Sequence, residues 1–331
     1  MQNRERFRRV LSFEPVDRLP VIEWAGWWDQ TIARWHREGL PEELADAFEI
    51  RRHLGLDPVQ QAWVPAIGPG APGPQVHGGG LIGTMEHYER LLPYLYPEGP
   101  LFDVPTIERW AAAQRAGDLV VWITLEGFFW FPRTLLGIER HLYAFYDQPE
   151  LMHRINRDLL AYSLRLLEQF CALCVPDFMT FAEDMSYNHG PMISRELFDE
   201  FMAPYYREIT PRLHERGTTV FIDTDGDVTT LVPWLEGVGV QGFLPLERMA
   251  GVDVNQLRRD HPQLRMIGAF DKTVMHRGEE RIRREFERLL PVMRSGGYIA
   301  SVDHQTPPEV SLQDYHLYLR LLREYAEEAC R

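Results

Sequence analysis

Asp177-Phe-Met-Thr-Phe-Ala-Glu-Asp184, a helical pattern over residues 194–216, and Thr218-Thr-Val-Phe-Ile-Asp-Thr-Asp225 together decide the fold. Two short runs rich in aromatic and β-branched residues flank a helix, and Gly217 stands where that helix must stop. Strands joined through a helix run parallel. The same alternation extends both ways. Strand-like runs recur at 119–125, 240–244, 264–267 and 298–302, and Leu19-Pro-Val-Ile-Glu23 reads as a short strand near the start. Helical patterns cover 151–173, 229–236, 279–295 and 312–328, with Ser194 and Ser311-Leu-Gln-Asp314 at capping positions.

Parallel strands with crossover helices form either a closed barrel or an open doubly wound sheet. The open sheet usually carries G-x-G-x-x-G after its first strand, and none occurs there. The expected fold is therefore one α/β domain over residues 1–331, a TIM-type (β/α)8 barrel. An N-terminal helical extension precedes it, with Phe7, Val10 and Leu11 at helical spacing. Residues 56–80 hold Pro58, Pro65, Gly68-Pro-Gly70, Gly73-Pro74 and Gly78-Gly-Gly80, and read as one long irregular loop of the kind that forms lids.

With 331 residues and 45% hydrophobic content, the chain can bury one large core. Its net charge of −14 repels nucleic acid and anionic membrane surfaces. Its three cysteines give no disulfide framework, and Cys171-x-x-Cys174 has no second pair, so it reads as packing. The basic start lacks an apolar run, and 119–125 is too short to span a bilayer. These features point to a soluble cytoplasmic protein, with no nucleic acid or membrane partner.

Barrel chemistry sits where strands end. Those positions hold Glu23-Trp24, Glu126 followed by Gly127-Phe-Phe-Trp-Phe131, Glu183-Asp184, Asp223-Thr-Asp225-Gly-Asp227, Glu247, Asp271-Lys272 and Asp303-His304. Lys272 is the only lysine among 35 basic residues. So many acids at one rim call for a bound cation, raised pKa values or helix N-termini. Local roles compete: Asp227 can cap the following helix, and Asp225 can brace its turn.

The chain resembles the uroporphyrinogen decarboxylase superfamily. The likeness begins at Arg4-Glu-Arg-Phe and Pro15-Val-Asp-Arg-Leu-Pro-Val21. It continues through Glu183-Asp184, Gly190-Pro-Met-Ile-Ser-Arg-Glu-Leu-Phe198, Pro204-Tyr-Tyr206, Asp225-Gly-Asp227, Leu244-Pro-Leu-Glu247, Gly268-Ala-Phe-Asp-Lys272 and Asp303-His304. The resemblance implies a (β/α)8 barrel and one of two activities: cofactor-free decarboxylation, or methyl transfer involving a corrinoid protein or thiol, often with zinc. The arginine pair that holds the decarboxylase's substrate is replaced here by Glu23-Trp-Ala-Gly-Trp-Trp28. The zinc ligands of thiol-methylating relatives match Asp223, Asp225 and His304, all of which can bind a metal.

The resulting expectation is a methyltransferase. Asp223, Asp225 and His304 would hold zinc that polarises a methoxy-type donor, with the methyl passing to a corrinoid carried by a partner protein. Glu23, Trp24, Trp27, Glu126, Phe129, Trp130, Asp184 and Lys272 would line the small-molecule site, with His304, Asp225 and Glu183 catalytic. The alternative is a cofactor-free decarboxylase or lyase in which His304 and Asp225 handle protons. A non-catalytic binding barrel is a third reading. The sequence leaves the quaternary state open, a homodimer included.

Overall fold

A computed structural model describes residues 1–74, 76–99 and 102–331. Seven strands pair in chain order and in parallel: β1 Val59–Trp63, β2 Val120–Glu126, β3 Phe178–Ala182, β4 Thr219–Thr224, β5 Gly242–Pro245, β6 Arg265–Phe270 and β7 Tyr298–Val302. The strands β2, β3 and β7 are buried almost throughout, as expected for parallel strands covered by helices. The covering helices include Pro149–Cys171, Ala203–Glu215, Glu279–Met293 and Leu312–Glu328. The helix expected over 194–216 is broken at Met202, with Pro204 opening its second half. Ser311 and Asp314 form a complete capping box.

The ladder has seven strands, not the eight expected, and it does not close. Residues 19–23 take the eighth place without ladder pairing. On one side Asp57 donates its N–H to Val21 O at 2.8 Å. On the other, Trp24 N bonds Ser301 Oγ at 3.3 Å, while the Glu23 carboxylate takes Val302 N at 3.4 Å and the Ser301 hydroxyl. Pro20 has no N–H to give a ladder, and a side chain does the pairing instead.

The expected loop over 56–80 contains β1, whose polar Gln60-Gln61 and flanking Pro58 and Pro65 hid it. Its glycines serve a close crossing. Gly79 bridges Gly137, and a Cβ on Gly80 would stand 2.1 Å from Leu136 O. The N-terminal helix Asn3–Leu11 closes the far end of the sheet, with Phe7 against Phe178 at 5.1 Å. Cys174 is buried, as packing requires. Among the described residues no helix is long and apolar enough to cross a membrane.

Candidate functional site

A cavity of about 400 Å³ lies at the C-terminal rim of the sheet. Four indoles wall it: Trp24 after the eighth-place segment, Trp63 ending β1, Trp122 within β2, and Trp130 opening the helix Trp130–Leu136 beyond β2. The same lining holds Asp184, Asp223, Asp225 and His304, with Gln61 and Gln305. Two of the indoles are fixed by their own N–H groups. Trp24 Nε1 donates to Val302 O at 2.7 Å, and Trp122 Nε1 donates to Thr180 Oγ1 at 2.9 Å. Beneath them Gln61, Thr124 and Thr180 form a hydrogen-bonded polar layer.

Asp225 and His304, 79 positions apart in the chain, meet at 3.6 Å between Oδ2 and Nε2. Burial pushes the Asp225 carboxyl up to about 7; Asp184 and Glu247 add to this, and Lys272 opposes it. Burial, then Asp184 and Asp225, drive Asp223 well above the usual carboxylate range. No hydrogen bond reaches the Asp223 carboxylate among the described residues, although it faces the cavity. Burial lowers the His304 imidazole, and Lys272 lowers it further. Asp184 holds a left-handed φ of 41°, a conformation that costs a non-glycine residue and recurs at functional sites.

Several expected site residues lie elsewhere. Glu183 is 1% exposed, and its carboxylate accepts the N–H groups of Phe128 at 2.8 Å, Phe129 at 2.8 Å and Trp130 at 3.1 Å, together with the Tyr206 hydroxyl. Burial pushes it up to about 8 although those donors pull the other way. It braces the loop that leads into Trp130. Glu23 is likewise sealed, between Ser301 and Tyr315, and burial lifts it to about 7. Trp27 packs on Trp35 and Tyr315, and Phe129 lies in the core against His141. Lys272 reaches Asp303 at 3.4 Å, and Asp227 caps Thr229. Glu126 stands beside Trp63, with burial raising it to about 7 and Oε2 buried without a partner.

A family model, "Uroporphyrinogen decarboxylase (URO-D)", matches residues 131–325. The chain belongs to the uroporphyrinogen decarboxylase family. No curated protein sequence matches it. Among solved structures it is similar to a methyltransferase from Methanosarcina mazei, at 14% identity and a TM-score of 0.65, over 98% of this chain and 99% of that one. A Listeria monocytogenes protein named as a vitamin-B12-independent methionine synthase aligns at 12% identity and a TM-score of 0.48, over 95% and 98% of the two chains. At such identities the likeness shows the fold alone.

The segment after residues 19–23 contributes Trp24, Ala25 and Gly26 to the wall. Arg51 lies behind it, buried, donating to Ala25 O at 3.2 Å. Asp223, Asp225 and His304 all face the cavity. Among the described residues, however, no three His, Cys, Asp or Glu side chains converge closely enough to hold a metal ion. The zinc set expected from the resemblance is not assembled by these residues. Trp63 and Trp122 were missed by the sequence reading, the first inside an unrecognised strand and the second in mid-strand.

Proposed function

We propose that this chain is a methyltransferase that moves a methyl group from a small molecule in the cavity to a corrinoid protein docked over the rim. The observation that carries this reading is the wall itself: it combines four indoles with three aspartates and a histidine, and among the described residues no arginine or lysine lines it. A porphyrinogen bearing many carboxylates finds no cation there. A compact methylated donor finds apolar surface around the methyl group and titratable groups for the atom left behind.

A reduced corrinoid supplies a strong nucleophile for the methyl group. The chain's own residues do the rest. Trp24, Trp63, Trp122 and Trp130 position the donor and keep water from it. Asp225, holding a proton near neutral pH beside an uncharged His304, delivers that proton to the departing heteroatom.

The Asp225–His304 pair also suits a cofactor-free decarboxylase or lyase, in which the same proton goes to carbon. Incubation with methyl-labelled donors and a reduced corrinoid protein separates the two. Label on the corrinoid supports methyl transfer, and loss of carbon dioxide without a corrinoid overturns it.

A further inference from the structure

We infer that the cavity is built for a methylated ammonium group, so that the donor is a quaternary ammonium compound of choline size. This rests on the methyl-transfer reading and names its substrate class. Indole faces carry negative charge density, and several around one pocket form the usual receptor for a cation too large and too weakly hydrated to take hydrogen bonds. Four are present here, two of them locked by N–H bonds to Val302 O and Thr180 Oγ1.

The charge pattern points the same way. Asp184, Asp223 and Asp225 share the lining, and Asp223 has no hydrogen-bond donor among the described residues. Glu126, on β2 outside the cavity lining, is hydrogen-bonded by Trp63 and leaves only Oε2 buried without a partner. A desolvated carboxylate without a donor is costly as an anion unless it takes up a proton or a ligand supplies the missing positive charge. Two nearby cations offset this charge only in part, Lys272 acting on Asp225 and Arg133 on Asp184. Lys272 is tied to Asp303, and Arg133 donates to Asp184 O while stacking 5.0 Å from the Trp130 ring centre. A trimethylammonium head offers no N–H, so it needs aromatic surface and diffuse negative charge, and the lining holds indoles and carboxyl groups that can supply them.

This donor class also removes the need for a metal. An ether oxygen leaves as an anion unless an acid or metal neutralises it, whereas a quaternary nitrogen leaves as a neutral amine. The C–N bond breaks with its electron pair staying on nitrogen. The reduced corrinoid donates the pair that forms the new bond to the methyl carbon. The tertiary amine, now basic, takes the proton held at Asp225 and His304.

The test is calorimetric titration of the full chain with choline, with glycine betaine, and with 3,3-dimethylbutan-1-ol, the uncharged carbon analogue of choline. Choline binds about tenfold or more tightly than the carbon analogue. Glycine betaine binds more weakly than choline, because its carboxylate meets aspartates. Trp63→Ala and Asp223→Asn each weaken choline binding about tenfold, and Trp63→Phe restores part of it, with folding checked by circular dichroism. Equal binding of choline and its carbon analogue, or no choline binding at millimolar concentration, overturns the inference. No corrinoid is needed for this titration, so the two proposals fail separately. Choline binding without methyl transfer overturns the reaction alone, and transfer from methoxyarenes without choline binding overturns the substrate class alone.

Discussion

Glu183 and Asp223 sit side by side, Glu183 N donating to Asp223 O at 2.9 Å where β3 and β4 end. Burial raises both carboxyls, yet their surroundings are opposite. Glu183 points into the loop after β2 and meets four donors. Asp223 points into the cavity and meets none from the described residues. One acid holds the fold together, and the other is a standing cost to it. A raised pKa therefore does not separate a brace from a binding group; the supply of donors does.

The sharpest way to break this contrast is Glu183→Ala. It strands three backbone N–H groups and a hydroxyl, and should cost about 3 kcal/mol or more in urea unfolding. Gly127→Ala attacks the same brace from the other side. A Cβ there would stand 2.2 Å from the Glu183 carboxyl carbon, and a loss of about 2 kcal/mol is expected. Asp223→Asn should instead leave stability within about 1 kcal/mol of the parent, or raise it, while abolishing most activity. If Asp223→Asn unfolds the protein and Glu183→Ala does not, the assignment of roles is reversed.

The smallest effect is the pH dependence carried by Asp225, which faces Asp184, Glu247, Lys272, Asp303 and His304. Its folded pKa of about 7 lies above its ordinary value of 3.8, so the folded state binds the extra proton between them. Its contribution to stability is therefore greatest in acid and falls as pH rises through that window. Asp225→Asn should remove this downward slope. Unfolding curves at pH 4 to 8 for both proteins check it, and parallel curves would show that Asp225 titrates normally.

Six of the seven strands were legible because aromatic and β-branched runs alternate with capped helices. The seventh, β1, was not, because its inward Gln61 serves a polar layer with Thr124 and Thr180 and so breaks the apolar pattern. The rule that chemistry gathers at strand ends found Trp24, Trp130, Asp184, Asp223, Asp225 and His304. It also picked Glu23 and Glu183, which lie outside the cavity lining, since sequence shows a carboxylate but not the donors that will close over it. Trp122 escaped for the opposite reason: it faces the cavity from within a strand, where an indole ordinarily means core.

The unclosed edge of the sheet bears on how such a site can change. Because residues 19–23 are stitched in by the Glu23 carboxylate and by Asp57, the stretch that follows, Trp24 to Gly26, owes nothing to backbone pairing on either flank. Replacements there leave the neighbouring strands in register. A seam of this kind lets ligand preference drift while the scaffold stays put.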